Sequence, residues 1–474
     1  MTWEWFTDPG YWASRLVFQR LLASLYLVAF LGAALQFRAL IGAHGLTPVP
    51  RFVRRVPFRR APSLFHWHYS DRLFAGVAWT GVVVSATLVL GLFDHAPVWA
   101  ATLAWLVPWL LYQSIVNVGQ VWYAFGWESL MLEVGFLAIF LGPADTVPPV
   151  LVLWLLRWVL FRLEFGAGMI KMRGDPCWRD LTCLYHHHET QPMPGPLSWY
   201  FHHLPRPLHR IEAAASHVTQ LVVPFALFAP QPVASAAAAL MIATQLWLLA
   251  SGNFAWLNVL TIAIAVSVVD GELVSTATPP PAEPPGWHRF LVLAVTILVV
   301  ALSYRPMRNL VSREQLMNTS FDRLHLVNTY GAFGSVTKVR HEIVIEGSDG
   351  TVWHEYEFKG KPGDPRRRPR QFAPYHLRLD WLMWFAALST RYARSWLPEL
   401  AEKLLVADPA TLRLLRHDPF DGRRPVRLRA RLYRYRFTTP RERRETGAWW
   451  LREPRGVVLP ESALGKNGGV VPVD

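Results

Sequence analysis

The stretch Arg157–Asp180 (RWVLFRLEFGAGMIKMRGDPCWRD) sets charged side chains inside an apolar run. Arg157, Glu164 and Lys171 recur every seven residues, two helical turns each, so a continuous helix presents all three on one face. Arg162 falls on another. Charge inside a membrane helix is costly and marks a functional site or a hidden ion network. Two readings stand. In one, Glu164 neutralises Arg157 or Lys171 and the set fixes helix register. In the other, Lys171 is a proton-transfer base in a dry pocket, tuned by Glu164 or Arg157. Glu128 and Glu133 (GWESLMLEVGF) lie in or near a further apolar run, and Glu133 needs a partner such as Arg157 or Arg162. Asn117, Gln120, Asn253 and Asn258 read as interhelical hydrogen-bonding amides.

His186, His187, His188 and Glu189 follow Cys177 and Cys183, with His202 and His203 further on. That density invites a zinc reading, but the spacing matches no standard site, and neither metal nor cofactor is expected. Cys177 and Cys183 either bond to each other in an oxidising compartment or remain two thiols. No Walker loop, dinucleotide fingerprint, Gly-x-Ser-x-Gly elbow or kinase signature occurs, so nucleotide and serine-hydrolase chemistry lack support.

The elements that position these residues follow from composition. The chain has 474 residues, 52% hydrophobic and only 17% charged, yet carries a formal charge of +14. Residues 1–303 hold 17 Lys+Arg against 15 Asp+Glu; residues 304–474 hold 31 against 19. This segregation excludes one ordinary globular domain. It predicts a polytopic α-helical membrane bundle over 1–305, followed by a basic, water-facing, β-rich α+β C-terminal domain over 306–474. Candidate spans are Leu16–Phe37, Leu73–Phe93, Val98–Val118, Val150–Gly166, Ile242–Leu260 and Phe290–Leu302, with shorter stretches Leu130–Leu141, Val218–Ala229 and Val259–Val269. The total is about eight or nine crossings. Pro48–Pro62 carries five arginines, a cytoplasmic signature for a short loop, and Pro279–Pro285 is a stiff connector. In the tail, His341–Glu346 and Thr351–Phe358 flank a Gly-Ser-Asp-Gly hairpin turn, and Asp380–Trp396 predicts an amphipathic helix. Val426–Phe437 alternates, with Val426, Leu428, Ala430 and Leu432 opposite Arg427, Arg429 and Arg431. That arginine face and Pro365–Arg370 (PRRRPR) favour a solvated basic surface, with nucleic acid not expected behind so many spans.

The segments FEFGAGMIKMRGDPCWRDLTCL, YHHHETQPMPGPLSWYFHHLP, NTYGAFGSVTKVRHEIVIEG and VGQVWYAFGWESLMLEVGFLAIF, with the closing VRLRARLYRYRFT, resemble the lipase maturation factor family along nearly the whole chain. The resemblance implies a polytopic membrane protein with a large non-membrane C-terminal domain. Animal members sit in the endoplasmic reticulum and help secreted lipases fold and assemble into active dimers; they are regarded as maturation factors rather than enzymes. The composition is similar to that of a high-GC bacterium, which implies a multi-pass protein of the bacterial inner membrane. More distantly, GAGMIKMRGDPCW resembles the segment of the vitamin K-dependent γ-carboxylase and its transmembrane relatives that carries an active-site lysine, which would fall at Lys171.

On this reading the protein assists folding and assembly of an exported, lipase-like client while embedded among membrane lipids. The expected client surfaces are Tyr330 and Phe333, Trp381 and Trp384, and Arg427, Arg429 and Arg431. The alternative is a membrane enzyme acting on a lipid-soluble or membrane-proximal substrate through Lys171. The family architecture implies an extracytoplasmic C-terminal domain, whereas the basic Pro48–Pro62 loop votes for the cytoplasm.

Overall fold

The structure, a computed structural model, describes residues 4–275, 282–465, 467 and 469–473. Pro279–Pro281 of the expected connector lie outside them. The N-terminal part is helical: α1 (Trp12–Leu40), α2 (Asp71–Val89), α3 (Val98–Val118), α4 (Gly126–Ala138), α5 (Val150–Arg173), α6 (Leu184–Thr190), α7 (Arg206–Leu221), α8 (Val233–Ser251), α9 (Leu257–Val266) and α10 (Gly286–Leu302). Prolines 97, 149, 205 and 285 stand at the N-caps of α3, α5, α7 and α10, where their missing N–H costs nothing. Close packing needs small residues. A Cβ on Gly81 of α2 would lie 2.3 Å from the Phe30 ring of α1, and one on Gly135 of α4 would meet the Tyr26 hydroxyl at 1.9 Å.

Among the described residues, five helices are long and apolar enough to cross a membrane: Pro9–Leu40, Asp71–Val89, Val98–Val118, Val233–Ser251 and Gly286–Val311. The other apolar stretches fall short for separate reasons. Helix α5 is one unbroken 24-residue helix but carries five charges. Helix α4 has 13 residues, about 20 Å of rise. Val218–Ala229 is interrupted where Pro224 opens a short second helix. The expected span Ile242–Leu260 is two pieces, because α8 begins at Val233 and stops at Ser251, and the extended Gly252 leads into α9.

The bundle has two ends. At the first, Thr7 bridges to Pro149 and Thr146 to Ala282, and the Ser14 hydroxyl donates to the Val269 carbonyl at 2.6 Å. At the second, Gln120 donates to the Thr47 carbonyl at 2.8 Å, Gln36 to the His376 carbonyl at 2.8 Å and Asn253 to the Arg370 carbonyl at 2.9 Å. The C-terminal sheet therefore sits on the second end, and so does the arginine-rich loop after α1.

That sheet is antiparallel throughout, in the order β2 (Trp353–Glu355), β1 (Arg340–Ser348), β3 (Arg427–Phe437), β4 (Trp450–Leu464), β5 (Val470–Pro472). Gly350, at φ +106°, makes the expected β1–β2 turn. Strand β2 is shorter than Thr351–Phe358 because Glu357 pairs with His417 instead. The helix expected over Asp380–Trp396 is α11 (Arg378–Leu388): Ser389 is extended and caps a separate turn, Thr390–Tyr392. It is buried nearly all round rather than amphipathic. Strand β3 buries opposite faces in its two halves. Leu428 and Ala430 enter the main core, whereas Tyr433, Tyr435 and Phe437, on the arginine face, pack with Trp199, Trp449 and Trp450. Val426 is exposed, against the expectation that it shares the buried face. One contiguous set of buried apolar side chains runs from Phe6 in the helical part to Ala430 in the sheet.

Candidate functional site

Two buried acids on α4 hold the helical part to the C-terminal part. Glu133 pairs with Arg162 of α5, both 1% exposed. Its other oxygen accepts from the Asn328 backbone N–H at 3.0 Å, the Asn328 side chain at 3.0 Å and the Tyr330 hydroxyl at 2.5 Å. Arg162 also donates to the Asn328 carbonyl at 2.5 Å. Five residues earlier, Glu128 accepts from Arg378 of α11 at 2.6 Å and from the Tyr112 hydroxyl. The Arg378 guanidinium lies 3.5 Å from the centre of the Tyr123 ring. His376, beside this pair, has its imidazole pushed down to about 4 by burial and by Arg378, so it is neutral at pH 7.

A third network fastens the histidine-rich loop to the sheet. Arg340 of β1 donates to the carbonyls of Glu189 at 2.9 Å, Gln191 at 2.5 Å and Pro192 at 3.0 Å. Glu342 balances it at 2.5 Å and pairs with Lys361 at 2.6 Å, all three buried. From the loop's other side, the Glu189 carboxylate accepts from the Phe437 N–H at 2.7 Å.

These anchors frame a largely apolar cavity of about 470 Å³ between α5, α6, α7, α8 and α9, with Phe333 closing one side. Glu164 lies on its wall and accepts from Gln245 at 2.7 Å and Gln220 at 3.3 Å; Gln245 in turn accepts from Asn258 at 2.7 Å. Lys171 donates to the Ser216 hydroxyl at 3.1 Å and sits 4.5 Å from the centre of the Trp178 ring. Cys177 and Cys183 are bonded to each other, enclosing the Trp178 turn beneath the lysine. His187, His188 and Glu212 also face the cavity.

The structure thus separates residues that share a sequence spacing. Glu164 makes no ion pair with Arg157 or Lys171. Seven residues of helix rise about 10 Å, too far for side chains to join, and neighbouring helices supply the partners instead. Arg157 donates to the Tyr11 hydroxyl at 2.7 Å and the Leu227 carbonyl at 3.0 Å.

The expected client residues also divide. Tyr330 and Trp381 are 1% and 4% exposed and form no outer surface: Tyr330 serves Glu133, and Trp381 packs edge-to-face on Trp127 with ring centres 4.8 Å apart. Trp384 is half-buried and donates to the Thr190 carbonyl at 3.1 Å. Phe333 turns inward to the cavity. Arg429 is tied to Glu346 at 2.5 Å and stacked on Trp353, while Arg427, the most exposed, pairs with Glu461 at 2.5 Å. Arg431 is half-buried beside Tyr433. Sequence reasoning named neither Arg378 nor the Arg340–Glu342–Lys361 set; an excess of lone acids in apolar runs was the available signal for the first.

Comparison with known proteins adds two domain families and a set of full-length relatives. Residues 13–276 match the lipase maturation factor transmembrane domain, and residues 326–460 the lipase maturation factor C-terminal domain. Lipase maturation factor 1 of Mus musculus and of Homo sapiens are each 40% identical to the chain, covering 96% of it and 88% of their own length. Lipase maturation factor 2 of Homo sapiens is 27% identical over 95% of the chain and 83% of its own. No solved structure matches.

Proposed function

Because the chain belongs to the lipase maturation factor family, we propose that it is a multi-pass membrane protein that matures secreted lipases in the cell membrane of a bacterium. The observation that carries this reading is 40% identity to lipase maturation factor 1 across 96% of the chain, helical and sheet parts alike. The geometry agrees with it: the C-terminal part is held at one end of the bundle by the buried Glu128–Arg378 pair and by the buried hydrogen bonds of Glu133 and Arg340, as a platform beside the membrane requires. Its exposed part at β3 and β4 carries Val426, Arg427 and Val457, a mixed apolar and basic surface suited to an incompletely folded client. The relatives' names give no support to the enzyme reading with Lys171 as base. A secreted lipase co-expressed with the full chain should co-purify from detergent-solubilised membranes while inactive and be absent once active. Recovery of active lipase alone, or of none, contradicts the reading.

The side of the membrane and the number of crossings belong to the same proposal. Among the described residues, nine helical stretches run between the two ends in alternation, five long and apolar and four shorter or charged; taken as nine crossings, they put Thr7 and the sheet on opposite sides of the membrane. The disulfide lies at the sheet end, since the Asp175 backbone N–H donates to the Gly334 carbonyl at 2.8 Å and the Trp178 indole N–H to the Phe333 carbonyl at 2.7 Å. The arginine-rich loop at this end votes for the cytoplasm. A structural disulfide outweighs it, because cytoplasmic thiols are kept reduced. The sheet end is therefore extracytoplasmic. A membrane-permeant maleimide should fail to label Cys177 and Cys183 in intact cells and label both after reduction and denaturation. Direct labelling of both would place this end in the cytoplasm.

A further inference from the structure

Two residues of the cavity wall, His188 and Glu212, form with His209 behind them a cluster that neither the spacing of the sequence nor the maturation function accounts for. His209 and Glu212 lie three residues apart on α7, one face of the helix, and α6 brings His188 against them. His188 Nε2 lies 3.8 Å from Glu212 Oε2, and His209 Nδ1 lies 3.9 Å from the same oxygen. One ligand-capable atom from each side chain falls within 4.8 Å of the other two. The histidines are 1% and 2% exposed.

These separations are too long for hydrogen bonds. His188 Nε2, His209 Nδ1 and Glu212 Oε2 are each buried without a hydrogen-bond partner, as is His188 Nδ1. Buried polar atoms are almost always partnered, so three that converge share a need for one cation. The surroundings prepare them for it. His209 Nε2 faces the His202 carbonyl at 3.4 Å, which places the proton there and leaves Nδ1 bare. Trp247 Nε1 donates to Glu212 Oε1 at 2.8 Å, which orients the carboxylate and leaves Oε2 free.

We propose that His188, His209 and Glu212, beside the cavity, bind one divalent transition-metal ion, zinc in preference. Two imidazoles and one carboxylate are a zinc donor set, and three protein ligands leave a fourth place for water or a donor from a guest molecule. A tetrahedral zinc ion holds its ligand atoms about 3.3 Å apart, so the side chains close by about 0.5–1.5 Å on loading. The ion joins α6, and through it the loop anchored by Arg340, to α7. The cavity wall then becomes metal-dependent. The tripled histidine and the cysteines, which drew attention in the sequence, contribute only His188.

The test uses the full chain without a histidine tag, purified in detergent, loaded with zinc and dialysed against metal-free buffer. Elemental analysis should find about one zinc per chain in the wild type and less than about a tenth in His209→Asn and Glu212→Gln. His203→Gln, outside the cluster, should keep the full amount. Zinc should raise the thermal midpoint of the wild type and leave that of the two ligand variants unchanged, a readout that holds even if the variants are less stable. A wild type without bound zinc, or ligand variants that hold as much as it does, overturns the proposal.

Discussion

Replacing Arg378 by methionine is expected to cost about 3–5 kcal/mol of stability, the usual penalty for leaving one member of a buried ion pair alone. Its guanidinium bonds Glu128 at 2.6 Å and the Trp122 carbonyl at 2.6 Å, with both charged side chains 1% exposed or less. Methionine fills much of the volume but leaves Glu128 with only the Tyr112 hydroxyl and the His376 imidazole, 3.6 Å away. The carboxylate must then lose its charge or draw in water, and α11 loosens from α4. Thermal unfolding in detergent, with trypsin susceptibility after Arg391 as a local probe, measures this. The double variant Glu128→Gln, Arg378→Met should be more stable than the two single losses added together, because the orphaned charge is gone. A single variant within about 0.5 kcal/mol of wild type would show that the pair does not hold the two parts together.

Glu133→Ala should match that effect through a different segment. Glu133 answers Arg162, the Asn328 N–H and side chain, and the Tyr330 hydroxyl at once. Its loss strands a buried guanidinium inside the bundle, again about 3–5 kcal/mol. The segment 328–330 then loses its fixed acceptor, so cleavage at the exposed Arg323 and Lys338 should become much faster than in the wild type. Limited proteolysis read by mass spectrometry decides it. Unchanged cleavage at both sites would mean that the segment is held by its own packing. Conservative Glu133→Gln should lie between, since it keeps an acceptor for Tyr330 but gives up the charge.

Much of the helical part was legible because hydropathy is a local signal. The charged helix α5, the need of Glu133 for an arginine partner and the hairpin at Gly350 all follow from neighbours within a few residues or from the need to neutralise an acid in an apolar run, although the sequence left Arg157 and Arg162 as alternatives and the structure takes Arg162. Arg378 was not legible as a partner, since it lies 250 residues from Glu128 and no period connects them. Tyr330 shows how the same limit produces an error. NTYGAFG is polar and glycine-rich without periodicity, which reads as surface, yet Glu133 draws it inside for the donors it supplies. The seven-residue spacing of Arg157, Glu164 and Lys171 indicated their shared helix correctly but not their partners, which come from helices that pack against α5 from different sides. The arginine face of β3 misled for a related reason: charge counts do not reveal that Glu346 and Glu461 lie opposite. The metal-binding cluster depends on α6 meeting α7, a tertiary fact.

As a member of the lipase maturation factor family, this chain matures secreted lipases at the membrane, and the decisive measurement is the specific activity of a secreted lipase, enzyme units per mass of secreted protein, made in cells with and without the gene for this chain. Deleting the gene should cause a large loss of activity per mass with lipase synthesis unchanged, and activity should recover when wild-type chain is restored but not when Arg378→Met replaces it. Equal specific activity in the presence and absence of the chain would contradict it.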